Sequence, residues 1–290
     1  MQIKGVWVPM ITPFNEGEVD YKSHKNLIDH YIENGVDGIM PIGTTGEFPT
    51  VEEDEFYKLV EKTVEYIDAR IPVFIGLGGN YTKKVIEKVK RVENYDIEGI
   101  LSVVPYYNKP DQEGVYQHFK TIAENTDLNI LLYNIPDRTG CNIENDTIFK
   151  LAQIENIIGV KDVGRDILQS MELLYNKPDN FSVLTGEDII FYTYLVNGGD
   201  GGVLASSHVL SSDFVEIYNL VQDGSYDEAL NKWKKLFEII PTFFKAPNPA
   251  PLKYCLSELG LITSYETRSP LVEIPEELKR ELDRVLENIQ

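Results

Sequence analysis

Ile157-Ile158-Gly159-Val160-Lys161-Asp162 decides the reading of this chain: a short apolar run without helical period that ends abruptly in a lysine. Four to six apolar residues bounded by polar ones predict a strand buried on both faces, the kind found in parallel sheets. An ammonium at the tip of such a strand stands at the mouth of a core, where lost hydration disfavours the charged form. An amine that is partly neutral at pH 7 attacks carbonyls and forms Schiff bases. On this stretch alone a second reading stays open, a lysine that caps the strand and snorkels to water.

Outward from this run, apolar and β-branched stretches recur at intervals of about 25 residues. They are Val6 to Ile11, Gly38 to Ile42, Pro72 to Leu77, Gly99 to Val104, Asn129 to Tyr133, Ile157 to Lys161, Phe181 to Thr185 and Gly202 to Ala205. The segments between them have helical period. Phe56, Leu59, Val60, Val64 and Ile67 fall at three- and four-residue steps on one stripe. Thr50-Val51-Glu52-Glu53 places acids in the first turn of that helix. Eight strands alternating with helices predict an α/β fold, a (β/α)8 TIM barrel over residues 1–224. An open doubly wound sheet alternates in the same way, but no GxGxxG or Walker lysine loop follows an early strand. From Asp213 onward only helical segments remain: Phe214 to Val221, Tyr226 to Phe244, Leu252 to Leu259 and Glu276 to Ile289. They predict the last barrel helix and a small C-terminal helical extension over residues 225–290.

The 290 residues are 42% hydrophobic, enough for a large core, and 26% charged. No apolar run approaches the roughly 18 residues of a membrane span. Met1-Gln2-Ile3-Lys4-Gly5 lacks the long apolar stretch of a signal peptide, so a soluble cytoplasmic protein is expected. Lys plus Arg number 27 against 47 Asp plus Glu, a net charge of −20 that repels nucleic acid and anionic membrane. Neither is an expected partner. Cys141 and Cys255 are too few for a disulfide framework, and His24, His30, His118 and His208 form no metal-ligand spacing. Neither metal nor cofactor is expected.

In a barrel the chemistry sits at the C-terminal ends of the strands. The second run ends in Gly43-Thr44-Thr45-Gly46-Glu47, where two glycines permit close backbone approach and N–H groups with two hydroxyls can receive a carboxylate. The fourth ends in Val104-Pro105-Tyr106-Tyr107-Asn108, and the fifth in Tyr133-Asn134-Ile135-Pro136-Asp137-Arg138-Thr139-Gly140. The seventh ends in Thr185-Gly186-Glu187-Asp188, whose carboxylates also read as a plain helix start. Tyr133, Arg138 and Lys161 end successive strands, which would aim all three at one cavity. A lysine, hydroxyls, a tyrosine and an arginine suit Schiff-base chemistry on a small carboxylated ketone.

GTTGE at 43–47, PYYNKP at 105–110, YNIPDRTG at 133–140, GVKD at 159–162 and TGED at 185–188, in this order, resemble the dihydrodipicolinate synthase and N-acetylneuraminate lyase family of pyruvate-dependent class I aldolases. The match runs from Gly5 to Leu261. Arg138 and Pro247-Asn248-Pro249-Ala250-Pro251-Leu252-Lys253 are similar to the branch that condenses pyruvate with L-aspartate 4-semialdehyde for lysine and diaminopimelate synthesis. By this resemblance Lys161 forms the imine, and Thr45 with neighbouring N–H groups holds the pyruvate carboxylate. Gly186 and Val203 line the substrate pocket. Tyr133, Thr44 and Tyr107 form a proton relay, Tyr107 reaching in from a neighbouring subunit of a homotetramer built from tight dimers. Arg138 meets the carboxylate of the semialdehyde.

The chain departs from the family pattern in two places. Asp162-Val163-Gly164-Arg165-Asp166 replaces a common KEA segment, and Gly202-Val203-Leu204-Ala205-Ser206-Ser207-His208 replaces GVISV-x-x-N. These changes keep 2-keto-3-deoxy sugar acid aldolases of the same family as the alternative, with a catalytically silent pyruvate-binding relative as the non-enzyme reading. At the position matching Lys84, lysine-inhibited relatives carry a glutamate for the effector's ammonium group, which implies an enzyme insensitive to lysine.

Overall fold

A computed structural model describes residues 2–164 and 166–289. Among these residues there are ten strands: β1 (Gly5–Val8), β2 (Phe14–Asn15), β3 (Glu18–Val19), β4 (Gly38–Ile39), β5 (Phe74–Gly76), β6 (Gly99–Val103), β7 (Asn129–Asn134), β8 (Ile157–Asp162), β9 (Ser182–Thr185) and β10 (Gly201–Val203). All except β2 and β3 belong to parallel ladders, and helices separate them along the chain. This is the complement of a (β/α)8 barrel. The chain divides into two compact units.

The first unit comprises Met1–Gly5 and Pro72–Val203. Within it β5 pairs with β6, β6 with β7, β7 with β8, β8 with β9 and β9 with β10, each in parallel. Sequential parallel pairing requires a crossover, and helices Thr82–Val92, Gln112–Ala123, Asn145–Leu151, Ile167–Asn176 and Phe191–Val196 supply it. Ile100, Leu101, Ile130, Leu131, Leu132, Val160, Val183 and Leu184 are buried, which is why these strands read as continuous apolar runs rather than alternating ones. Asp111 and Asp166 begin two of the helices, each carboxylate accepting from backbone N–H groups of the first turn.

The second unit comprises Val6–Ile71 and Leu204–Gln290. Trp7 and Val8 of β1 pair in parallel with Gly38 and Ile39 of β4, and Leu204 N donates to Trp7 O at 3.0 Å. The predicted stripe of helix Glu53–Ile67 is real: Phe56, Leu59, Val60 and Ile67 are buried and Val64 is half-buried. Its start is a reciprocal capping box between Glu52 and Glu55. The expected helix Phe214 to Val221 is longer, Ser207–Gln222, with a kink at Leu210. The expected Tyr226 to Phe244 divides into an α-helix, Tyr226–Ile239, and a 3-10 turn, Ile240–Phe244. Pro241 explains the division, since it has no N–H to donate back along the helix.

The β2–β3 hairpin was not visible as a periodic pattern, because two-residue strands carry no period. Its turn is legible in retrospect. Glu16 and Gly17 have φ of 54° and 83°, the two left-handed positions that a type I′ turn demands.

Candidate active site

Tyr133 and Lys161 are direct partners in the register between β7 and β8, so their side chains leave the same face of the sheet. Lys161 is 5% exposed and its Nζ lies 4.5 Å from the centre of the Tyr133 ring, itself buried. On the other side Lys161 is in register with Leu184 of β9, two residues before Gly186. A Cβ at Gly186 would stand 2.4 Å from Lys161 Cε and 2.6 Å from Val163 Cγ2, closer than atoms can approach. Gly186 is therefore the space in which the lysine stem lies. Val203, at the end of β10, is buried.

The residues one step along face the opposite way, as strand alternation requires. Asn134 accepts from Ile143 N and donates to Asn142 Oδ1. Asp162 Oδ2 accepts from Ser170 Oγ and Tyr194 OH, both at 2.6 Å, and Oδ1 accepts from Gly164 N at 3.1 Å. Burial, reinforced by the Asp162 carboxylate, holds the Tyr194 hydroxyl far above its ordinary range, so it remains a donor. Asp162 is thus the fixed point of β8 beside Lys161. In the sequence Asp162 closes the GVKD motif and opens the departing segment, and neither reading gave it a role. Arg165, in the same departure, lies outside the described residues.

Arg138 stands exposed on the short helix Pro136–Thr139 that follows β7, and Gly140, at φ 67°, ends that turn. Tyr107 is 90% exposed, at φ 73°. The structure therefore brings Lys161, Tyr133 and Gly186 together in the first unit, whereas Tyr107 faces solvent.

Thr44 and Thr45 belong to the second unit. Ile42 and Glu47, which flank Gly43–Gly46, have φ of 61° and 54°, left-handed values that side chains other than glycine rarely adopt. Gly46 packs against backbone: a Cβ there would meet Ile42 N at 2.8 Å and Met10 O at 3.0 Å. Thr12 Oγ1 donates to Gly46 O at 2.7 Å, and Asn248 Nδ2 donates to the buried Thr45 Oγ1 at 2.9 Å. Glu47 is buried, and Lys253 Nζ meets its Oε1 at 2.5 Å. Burial pulls the Lys253 ammonium down to about 8, against the pull of the Glu47 carboxylate. Asn248 and Lys253 entered the sequence reading as motif letters only, and the contacts they make were not foreseen.

The whole chain, residues 2–289, matches the family model described as the dihydrodipicolinate synthetase family. The chain belongs to the dihydrodipicolinate synthetase family. It is 52% identical, over 99% of its own length and 100% of the relative's, to 4-hydroxy-tetrahydrodipicolinate synthase 2 of Clostridium acetobutylicum. The dihydrodipicolinate synthase of Thermotoga maritima superposes with a TM-score of 0.96 at 39% identity, covering 99% of each chain. The chloride-inhibited synthase of Acinetobacter baumannii, solved as a complex with pyruvate, has a TM-score of 0.95 at 33% identity, also over 99% of each chain. The fold of this dihydrodipicolinate synthetase family member is accordingly the (β/α)8 barrel, and the open doubly wound alternative is excluded.

His208, in the second segment that departs from the family pattern, is fully buried. Its Nε2 accepts from Ile11 N at 3.0 Å, so Nδ1 carries the hydrogen and donates to Ala205 O at 2.7 Å. Burial lowers this histidine to about 4, and it works as a neutral structural link. Among the described residues, no group of His, Cys, Asp and Glu could hold a metal ion, and no helix is long and apolar enough to cross a membrane.

Proposed function

We propose that this protein is a Schiff-base lyase that condenses pyruvate with L-aspartate 4-semialdehyde to 4-hydroxy-tetrahydrodipicolinate, in the cytoplasm, for lysine and diaminopimelate synthesis. The observation that carries it is the buried Lys161 amine against Tyr133, in a family whose relatives bear that enzyme's name along their whole length. The Lys161 amine attacks the ketone carbon of pyruvate, water leaves, and a protonated imine forms. The imine withdraws electrons and acidifies the methyl group, so a weak base suffices to make the enamine. Tyr133 can carry that proton, since its hydroxyl both donates and accepts.

The enamine carbon then attacks the aldehyde, and the aldehyde oxygen takes up a proton. Attack by the substrate's own amine on the imine releases Lys161 and closes the ring. Thr44 relays the proton with Tyr133, Thr45 and nearby N–H groups receive the pyruvate carboxylate, Gly186 and Val203 shape the pocket, and Arg138 takes the semialdehyde carboxylate. Tyr107 completes the proton relay of a neighbouring subunit. Its 90% exposure and left-handed backbone support that reading, as a residue offered outward from a constrained loop. The assembly is then at least a dimer, and a homotetramer built from tight dimers.

A coupled assay that offers aspartate semialdehyde and, separately, sugar-acid aldehydes to the pyruvate-loaded enzyme tests the assignment. Turnover with the semialdehyde supports it. Preference for a sugar-acid aldehyde assigns the protein instead to the sugar-acid aldolases.

A further inference from the structure

Asn248 and Lys253 meet the Gly43–Glu47 loop at Thr45 Oγ1 and Glu47 Oε1, and these contacts account for a conformation the loop would not otherwise keep. A residue other than glycine is rarely found in the left-handed region and persists there only where its surroundings over-determine it. Glu47 is held at three points. Its Oε1 pairs with Lys253 Nζ at 2.5 Å, its Oε2 accepts from Arg268 N at 3.0 Å, and its own N donates to Thr44 O at 3.1 Å.

The two cations are fixed in turn. Lys253 Nζ donates to Glu266 O at 2.8 Å and lies 4.2 Å from the centre of the Phe14 ring. Arg268 donates to both carboxylate oxygens of Glu55 and to the carbonyls of Thr50 and Gly17. Its guanidinium carbon is also 4.2 Å from Phe14.

A buried ion pair is a poor device for stability, because desolvation of the two charges offsets their attraction. Lys253 is 0% exposed and the Glu47 side chain 2%, so the desolvation here is complete. What such a pair supplies is position. Two residues before Glu47, Asn248 donates its amide hydrogen to Thr45 Oγ1. A hydroxyl whose oxygen already accepts has its own hydrogen left to donate, so Asn248 sets the polarity of Thr45 toward an anion.

We infer that Glu47, Lys253 and Asn248 are positioning residues for pyruvate, holding the Thr44-Thr45 loop and the Thr45 hydroxyl in the geometry that receives its carboxylate. The inference rests on the reading of that loop as the pyruvate carboxylate site. It assigns to the Asn-Pro-x-Pro-x-Lys segment a task, the support of a loop some two hundred residues earlier in the chain, that touches no reacting atom.

The test is the split between KM for pyruvate and kcat in the full-length enzyme. Lys253→Met should raise the pyruvate KM about tenfold or more, with kcat at saturating pyruvate within about threefold of wild type, and Lys253→Arg should recover most of the loss. A folded Lys253→Met enzyme with an unchanged KM overturns the inference. If Lys253→Met does not fold, Asn248→Ala decides: it leaves the ion pair intact and should raise the pyruvate KM several-fold, about threefold to tenfold, with little change in thermal midpoint. An unchanged KM there overturns the inference equally. Thr45→Val separates the two levels. A raised KM in Thr45→Val with normal values in the other variants defeats the positioning role alone, whereas a normal KM in Thr45→Val removes the carboxylate reading beneath it.

Discussion

Gly186 and Lys161 share one volume: the aliphatic stem of the lysine occupies the place where any side chain at 186 would stand, 2.4 Å from Lys161 Cε. Glycine at the tip of β9 is therefore a steric condition for the aim of the amine, independent of backbone torsion. Gly186→Ala should displace Lys161 and lower kcat/KM by on the order of 100-fold, with a stability loss of about 1–3 kcal/mol from overpacking. Borohydride trapping rates and urea unfolding read the two effects separately. An alanine variant with normal trapping would show that the stem has another place to go.

The alternation of β7 and β8 was legible because a strand points successive residues to opposite faces, and Tyr133 and Lys161 end neighbouring runs. Their adjacency required only that the two runs pair in register, which parallel order makes natural. The support of the site was not legible. Asp162 finds Ser170 and Tyr194 on two later helices, and Glu47 finds Lys253 some two hundred residues on. No local period encodes such pairings. Strand ends also shifted: the run Gly202 to Ala205 forms β10 at Gly201–Val203. Gly201, at φ 156°, packs against Gly5, where a Cβ would meet Gly5 O at 2.0 Å, and the expected run began one residue later.

Acid should weaken the fold through three histidines. His24, His118 and His208 are buried and each is lowered by desolvation from 6.5 to about 4. The unfolded chain takes up these protons near 6.5 while the folded chain refuses them until about 4. Between those values the unfolded state binds more protons, so stability is whole above pH 6.5 and falls as pH drops toward 4. Each histidine contributes a slope of up to about 1.4 kcal/mol per pH unit. Urea midpoints at pH 7, 6 and 5 check this, and replacing His208 by Gln should flatten the curve. A midpoint independent of pH over that range contradicts the account.

Arg138→Ala should impair turnover with aspartate semialdehyde and leave pyruvate trapping nearly intact. A guanidinium matches a carboxylate with two parallel hydrogen bonds, and their loss should cost about 2–3 kcal/mol in kcat/KM. Full activity in the variant would remove the semialdehyde from the assignment.

Lysine at millimolar concentration should not inhibit the enzyme. Lys84 is an exposed cation that pairs with Glu87 at 2.9 Å, at the position where the resemblance drawn from the sequence implies a glutamate in lysine-inhibited relatives. Like charge replaces attraction at that point, and Lys84→Glu should introduce sensitivity. A clear inhibition curve in the wild-type enzyme would refute the prediction.

Incubation with pyruvate and borohydride, followed by peptide mass spectrometry, tests the central claim most directly. The account predicts one covalent adduct per chain, on Lys161, that requires pyruvate and is absent from Lys161→Ala. An adduct on another lysine, or an active Lys161→Ala enzyme, would contradict it.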